Sequence, residues 1–229
     1  MTMKRYVYSL GAVMLLGCCM PALSQTFRAA PALGTDDTPA NWYFAGGYTV
    51  ATGESANFVD NGWNFGSGVQ WRPHGGPISL RWDFEYSRNS ATNQLLNEGT
   101  AANQTQIDHG WSDLFSTDLD AVFDIPLSRR FKAYVLGGGG GAIRRISLTH
   151  TVGADGTTCN DWAGFCDAGF YPGDVLIERK TTGRWEWNAG VGLSFSLGGG
   201  ESFFVEARYM EVETPVPTGF VPIRVGFML

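Results

Sequence analysis

The 229-residue chain carries 16 basic and 22 acidic side chains, for a formal net charge of −6. This acidic balance argues against nucleic acid as a partner, because nucleic-acid-binding proteins carry a basic stripe. The 31 glycines and the absence of a long apolar run beyond the N-terminal region favour short strands and turns over membrane helices.

The N-terminus has the pattern of an export signal. Lys4 and Arg5 precede an apolar run over residues 6–19, and small residues follow it. The pattern predicts a secretory signal peptide over residues 1–24, cleaved before Gln25. The apolar run is shorter than the ~20 residues that a membrane helix needs.

A second interpretation of the N-terminus is lipoprotein processing, with a lipid attached to Cys18. Leu16 is a poor residue for such a site. With cleavage after residue 24 the mature chain has 229 − 24 = 205 residues, divided into an N-terminal segment at 25–40 and one folded domain at 41–229.

Residues 78–87 alternate strictly between apolar and polar side chains, as a strand with two different faces does. One face is apolar: Ile78, Leu80, Trp82, Phe84 and Tyr86. The other is polar: Ser79, Arg81, Asp83, Glu85 and Ser87. Lipid outside and a charge-paired interior would satisfy both faces, which is the arrangement of a transmembrane β-barrel. The alternative is that the aromatic residues fill the core of a soluble β-protein.

The same alternation predicts eight strands in all. They run over residues 42–50, 62–71, 78–87, 111–123, 131–143, 184–197, 202–211 and 220–229. The fifth is weakly patterned because Gly137 to Gly141 interrupt it. We therefore predict an all-β fold, an eight-stranded antiparallel transmembrane β-barrel with up-and-down meander topology.

The connections between these strands alternate in length. Residues 72–77, 124–130 and 198–201 are short connections, residues 51–61, 89–110 and 144–183 are longer and polar, and 212–219 is intermediate. Bacterial barrels have short periplasmic turns and long extracellular loops. The alternation therefore predicts that both termini, including the segment at 25–40, are periplasmic.

Tryptophans near the strand ends predict two aromatic girdles. Trp63 and Trp71 lie eight residues apart on one face, which is a height difference of roughly 20 Å at ~3.4 Å per residue and a tilt near 40°. That height is comparable with the ~25 Å apolar band of a membrane barrel. The predicted girdle residues are Trp42, Trp63, Trp71, Trp111 and Trp185.

The C-terminal segment, residues 220–229, resembles the closing strand of the eight-stranded outer-membrane β-barrel superfamily, which includes the OmpA membrane domain, OmpX and OmpW. Pro222, an alternating Val and Ile run, Gly226 and Phe227 carry this resemblance. It implies a bacterial outer-membrane location and recognition of Phe227 and Leu229 by the barrel-assembly machinery. The chain departs from the pattern by ending in Leu229 in place of an aromatic residue.

Ionisable side chains on the inward faces predict a charge network in the lumen. Its predicted members are Arg81, Asp83, Glu85, Asp118, Asp120, Arg184, Glu186, Glu206, Arg208 and Arg224. An eight-stranded barrel is just wide enough to be filled by side chains, which favours a plug of ion pairs. The alternative is a gated polar pore that draws cations through its acidic excess.

No catalytic, cofactor-binding or metal-binding residues are predicted. The glycine run at 137–141 lacks the following Lys and Ser or Thr of a phosphate loop, and His74, His109 and His150 are isolated in turns or loops. Of the four cysteines, Cys18 and Cys19 lie in the predicted signal peptide. The remaining two predict a disulfide between Cys159 and Cys166 in an exported chain, since two thiolates supply only half of a zinc site.

These observations predict a non-enzymatic outer-membrane protein with a structural or cell-surface interaction role. The alternative is a narrow channel for small or hydrophobic solutes, resembling OmpW, and a barrel lipid-modifying enzyme comes third. The expected partners are outer-membrane lipids, the barrel-assembly machinery and an extracellular ligand bound through the long loops, with no nucleic acid and no cofactor.

Overall fold

The computed structural model describes residues 40–73, 76–160 and 165–229, and for residues 154–160 and 165–172 it describes the backbone alone. The predicted signal peptide at 1–24, the segment at 25–39 and His74 lie outside the described residues.

Eight strands form a closed antiparallel barrel in which each strand pairs with its neighbours in sequence and the first pairs with the last. They are β1 (Ala40–Thr52), β2 (Val59–Trp71), β3 (Ile78–Ala91), β4 (His109–Pro126), β5 (Phe131–Asn160), β6 (Phe165–Gly198), β7 (Glu201–Val212) and β8 (Thr218–Met228). The predicted fold class is confirmed. Closure leaves no unpaired sheet edge around the barrel, as a membrane requires.

The connections define two ends of the barrel. At the turn end, residues 72–77, 127–130 and 199–200 join the strands, and β1 begins and β8 ends there. The β6–β7 turn is so tight that Gly198, Gly199 and Gly200 have φ of 96°, 70° and 92°, which favours glycine. At the loop end lie the remaining connections.

Two helices occupy loop-end connections that the strand pattern left unassigned. They are α1 (Ser55–Phe58) and α2 (Asn93–Asn103). The Thr92 hydroxyl caps α2 by accepting from the Leu95 amide at 3.4 Å, and Gly99 lets α2 pack against Leu148 of β5. Within the described ranges, no helix is long and apolar enough to cross a membrane.

Strands β5 and β6 are much longer than predicted. Residues 144–160 and 165–183, expected as part of a long polar connection, continue both strands as an antiparallel hairpin with one register shift between Leu148 and Thr149. Residues 165–183 lie beyond the pairing of β6 with β7, which begins at Glu186. Period-two hydrophobicity is required only where a strand separates two contrasting environments.

The barrel wall has an apolar exterior and a polar interior, as the alternation predicts. Exposed outward side chains include Trp82, Phe84, Leu119, Val191 and Leu193, whereas the intervening inward side chains are buried. A protein surrounded by water would have the opposite arrangement. The exterior therefore fits lipid.

The lumen is filled in three layers. An apolar layer lies at the turn end: Tyr43, Ala45, Val122, Tyr134, Leu136, Phe204 and Met228. A second apolar layer lies at the loop end: Ala51, Val59, Leu114, Ala142, Met210, Val212 and Phe220. Buried charged side chains of β3, β4, β7 and β8 lie between the two.

Glycines on the inward faces make room for the large lumen side chains. A Cβ at Gly192 would overlap the Tyr134 ring, and one at Gly140 would approach Asp118 Oδ1 to 2.8 Å and overlap the backbone of β4. The glycine run at 137–141 is thus a segment of β5 that accommodates the carboxylates of β4, consistent with close approach as the role of strand glycines.

Candidate functional site: the lumen charge network and the loop-end hairpin

Glu206 of β7 is the centre of the lumen network. Its Oε2 accepts from Arg81 Nη2 at 2.7 Å and from the Tyr134 hydroxyl at 2.8 Å. Its Oε1 accepts from Arg208 Nε at 2.5 Å and from Arg224 Nε at 2.9 Å. Three guanidinium groups from three strands thus converge on one buried carboxylate.

Arg208 and Arg224 connect Glu206 to the carboxylates of β3 and β4. Arg208 forms ion pairs with Asp83 and, at 3.0 Å, with Asp120 Oδ2. Arg224 Nη1 binds Glu85 Oε2 at 2.9 Å. Because these residues come from different strands, the network ties opposite walls of the barrel together.

Three members of this network were not predicted. Tyr134 donates to Glu206, Asn188 Nδ2 donates to Asp120 Oδ1 at 2.9 Å, and the Tyr43 ring lies 5.3 Å from the Arg81 guanidinium carbon. The alternation along each strand could have identified them, because residues two apart lie on the same face. Asn188, for example, lies two positions after Glu186, which was predicted to face inward.

Asp118 and Glu186 are in the lumen but stand apart from the arginines. Both are buried, and their carboxyl groups lie within hydrogen-bonding reach of each other, with the Ser116 hydroxyl beside Glu186. They contribute two of six acidic groups that share the lumen with three buried arginines. The acidic excess expected from the sequence is therefore present inside the barrel.

Arg184 lies outside the network, contrary to its predicted place there. Its side chain is exposed, and Nη1 lies 3.5 Å from the Gly183 carbonyl oxygen. Although position 184 has inward parity, β7 pairs with β6 only as far as Glu186. Beyond that row no wall encloses the inward side.

The packing of the lumen bears on conduction. The internal cavity beside Arg81 and Tyr134, also lined by Asp124 and Lys132, has a volume of ≈ 10 Å³, about the room needed for one water molecule. Lys132 Nζ binds Asp124 Oδ2 at 3.2 Å and adds a second ion pair at the turn end. The described charged groups of this layer thus pack closely around a very small cavity.

The predicted girdle tryptophans lie on the outer surface near the two ends. Trp42 and Trp71 lie at the turn end, close to each other in the β1–β2 register. Trp63 and Trp185 are exposed toward the loop end, whereas Trp111 is half-buried beneath the Arg88 guanidinium, 5.5 Å from its ring centre.

At the turn end, Phe227 and Leu229, the predicted assembly signal, lie at the end of the chain on the outward side of β8. Phe227 pairs with Phe44 and Phe203 in the register, and Leu229 is exposed, with its amide donating to the Trp42 carbonyl oxygen at 2.7 Å.

The β5–β6 hairpin extends beyond the barrel wall. Pairing with β4 ends at Thr149, so the eleven residues 150–160 continue β5 past β4, which is roughly 35 Å of strand at ~3.3 Å per residue. Residues 150–175 contain four aspartates and no lysine or arginine, with aromatic residues at Trp162, Phe165, Phe170 and Tyr171. The sequence of this hairpin is therefore acidic and aromatic.

A carboxylate fixes the base of the hairpin. Asp108 Oδ2 accepts from the Thr151 amide at 2.9 Å and lies 2.7 Å from His150 Nδ1, while Asp108 Oδ1 accepts from Gln106 Nε2 at 2.7 Å. The Thr151 amide, followed by the Gln106 side chain, lowers the pKa of Asp108. His109, the sequence neighbour of Asp108, is exposed.

We predict that the hairpin base loosens in acid. A carboxylate with a lowered pKa stabilises the fold fully above its unfolded value of 3.8, and that contribution is lost as the pH falls through the lower folded value. Asp108→Asn should lower the hydrogen-exchange protection factor of the Thr151 amide at neutral pH. In the parent protein the same protection should decline only below about pH 4.

Asp174→Asn is the matched control for this measurement. Asp174 Oδ1 accepts from the Thr151 hydroxyl, whereas the Thr151 amide donates to Asp108. Equal loss of amide protection in the two variants would contradict the role assigned to Asp108.

Among the residues described, there is no group of three or more His, Cys, Asp or Glu side chains that could hold a metal ion. The described contacts of the Asp108–His150 pair are those of a structural clamp at the start of the hairpin.

The family model of the outer membrane protein beta-barrel domain matches residues 10–220. The chain belongs to this family, and the family indicates the bacterial outer membrane as its location. No curated protein sequence matches the chain.

Three solved structures illustrate the fold. Neisserial surface protein A is 13% identical, with 84% of this chain and 97% of that chain covered and a TM-score of 0.51. Ail, the attachment invasion locus protein of Yersinia pestis, is 14% identical, with 83% and 99% covered and a TM-score of 0.45. The outer membrane enzyme PagL is 16% identical, with 82% and 98% covered and a TM-score of 0.38. At such identities the likeness concerns the fold, which by itself assigns no activity.

Proposed function

We propose that this protein is a closed, non-enzymatic barrel that anchors an acidic, aromatic hairpin at the bacterial surface for contact with other molecules. The observation that carries the proposal is the combination of a filled lumen with a long hairpin. Two apolar layers and a charged layer fill the barrel, so the wall serves as a rigid anchor. The hairpin is the part of the chain that reaches beyond it.

The orientation follows from the two ends. Short turns and the strand termini are at the turn end, which in bacterial barrels is periplasmic. The hairpin then projects outward from the cell. Between residues 150 and 175 the sequence has four aspartates and no lysine or arginine. This negative charge suits a partner with a basic surface.

Planar-bilayer recording tests the closed barrel against the narrow-channel alternative. The purified protein, inserted at defined density, is expected to give no discrete conductance steps. Reproducible single-channel steps that are absent from protein-free bilayers would overturn the closed-barrel proposal and favour the solute channel.

Limited proteolysis of intact cells tests the orientation. Cleavage within residues 150–175 of intact cells, with the barrel fragments still folded, is expected. If cleavage occurs only after the outer membrane has been permeabilised, the hairpin faces the periplasm and the surface role is excluded.

We predict a disulfide between Cys159 and Cys166. The two residues are directly opposite each other in the β5–β6 register, and directly opposed residues have Cα atoms about 4.5 or 5.5 Å apart, within the ~4.4–6.8 Å range of disulfides. The bond should stabilise the hairpin tip by roughly 2–3 kcal/mol and the barrel very little.

Mass spectrometry of the protein alkylated without reduction measures this bond. A peptide pair linked through the two sulfurs is expected, and the Cys159→Ser variant should remain folded as a barrel. Alkylation of both thiols in protein isolated from the outer membrane would contradict the prediction.

A further inference from the structure

Three arginines gather on the outer surface of the barrel at its loop end. We call this the arginine patch. It comprises two adjacent rows of residues with outward parity on β3, β4, β5 and β6: Arg88, Asp113, Arg145 and Thr181, then Ser90, Trp111, Ser147 and Arg179. Of these, Asp113 and Ser147 are buried beneath their neighbours. Each row follows the register from strand to strand, so the patch is continuous across four strands.

The patch lies where lipid headgroups are expected. Arg88 is ten residues beyond Ile78 on the outward face of β3, which is a height of roughly 26 Å at ~3.4 Å per residue and a tilt near 40°. The apolar band of a membrane barrel is ~25 Å tall. The row directly below the patch, which contains Tyr86, Phe115 and Ile143, is apolar and aromatic.

The charges within the patch do not balance. Asp113 binds Arg88, with Nε and Oδ1 2.7 Å apart, and accepts from the Tyr86 hydroxyl at 2.7 Å. Arg145 stands beside Asp113 in the register, and its buried Nε has no hydrogen-bond partner among the described residues. Arg179 is exposed. Three cations against one carboxylate give a local charge of +2 on a chain that is acidic overall.

A groove opens on the outer surface next to the patch. It is lined by Gly141, Gly183, Arg184, Trp185 and Glu213 and has a volume of ≈ 390 Å³. Apart from Gly141 and its two chain neighbours, no atom of the described residues lies within 4 Å of the position that a Cβ at Gly141 would take. The groove faces the same side as the apolar row beneath the patch, because Gly183 pairs with Ile143.

We propose that the arginine patch binds the phosphate of a membrane lipid whose acyl chain lies in the adjacent glycine-lined groove. Guanidinium groups bind phosphate oxygens through paired hydrogen bonds, and the exposed Ser90 and Thr181 hydroxyls supply further donors in the same two rows. The arginine patch contains Trp111 and the groove is lined by Trp185. Tryptophan is enriched at the interface between membrane and water.

Native mass spectrometry of the full barrel in an uncharged detergent tests this site with three probes. Phosphatidic acid has a phosphate monoester and acyl chains. Phosphatidylcholine has acyl chains, but its phosphate is esterified to a cationic choline. Glycerol 3-phosphate has the phosphate monoester without acyl chains. The barrel should retain phosphatidic acid in preference to the other two.

Charge-removal variants locate the site. The double variant Arg145→Gln/Arg179→Gln should weaken phosphatidic acid binding about 30-fold, from the loss of two cations at an anionic lipid surface. Lys180→Gln/Arg129→Gln is the matched control: it removes the same charge from exposed positions outside the patch and should change binding less than about threefold. Gly183→Leu should weaken binding of the lipid by filling the groove.

Equal weakening by the two double variants would overturn the proposal, because the interaction would then follow net charge. Retention of glycerol 3-phosphate as strongly as phosphatidic acid would identify a soluble phosphate as the ligand and overturn the lipid assignment. The heat-modified gel shift of each variant verifies that the barrel is folded. None of these outcomes depends on conductance or hairpin orientation, so this site and the proposed function fail separately.

Discussion

Replacing Arg208 by alanine is expected to destabilise the folded barrel by about 3–5 kcal/mol, the cost of leaving buried charges without their partner. Arg208 is fully buried and bonds to Asp83, Asp120 and Glu206. Three carboxylates on three strands would lose a shared cation at once. Apolar layers lie above and below this charged layer, so we expect solvent to be a poor substitute for the lost cation.

The measurement is urea unfolding of the barrel in lipid vesicles, followed by tryptophan fluorescence, together with the temperature at which the folded gel band disappears. Arg184→Ala is the control, since Arg184 has the same inward parity but an exposed side chain, and it should cost less than about 1 kcal/mol. Arg208→Lys keeps the charge but loses the planar fork, and we expect an intermediate cost. Equal unfolding curves for the two alanine variants would show that the lumen is hydrated.

The strand pattern predicted the barrel because nearly every wall residue borders one of two contrasting environments. Alternation in β3 and β6 placed Trp82, Phe84 and Val191 outward and Asp83 and Glu186 inward, and the structure has the same arrangement. A membrane-embedded wall imposes this contrast over its whole height, so the sequence period follows the fold closely.

The same reasoning failed where the contrast ends. The hairpin formed by residues 144–160 and 165–183 was expected to be a loop, because its sequence has no strict period-two alternation, although both segments are strands in the structure. Helix α2 has its Thr92 cap, but one short helix over a barrel mouth leaves a weak apolar stripe. Arg184 was placed in the lumen for a similar reason. Its position in the alternation gives the face of the strand, but it does not tell whether an opposite wall encloses that face.

The alternation pattern also could not predict which side chains bind each other within the lumen. Inward parity assigns Asp83, Glu206 and Arg208 to one cavity, but the choice of Glu206 as the group that all three arginines bind depends on strand stagger around the barrel. The stagger, which is the offset in register between strands around the barrel, is fixed only when all eight strands close into a ring. The closing contact is the pairing of β1 with β8. A single strand carries no information about it.

Replacing Val191 by arginine is expected to cost about 2–4 kcal/mol, the penalty for a charge on the lipid face near the bilayer midplane. Val191 is 59% exposed, on the outward face of β6 midway between Trp185 and Leu197. Its exposure would be harmless in water. In lipid, the guanidinium must either desolvate or reach about 10 Å to a headgroup.

Leu197→Arg is the depth-matched control. Leu197 is similarly exposed, at 53%, on the same face of the same strand, but it lies at the turn end, where an arginine should cost only about 0–1 kcal/mol. Val191→Leu should be close to neutral, because it retains an apolar surface. The free energy of unfolding of all three variants, measured in lipid vesicles, separates membrane depth from a general loss of packing. Equal costs for the two arginine variants would contradict the lipid-facing assignment of the barrel exterior, and with it the height at which the arginine patch meets lipid headgroups.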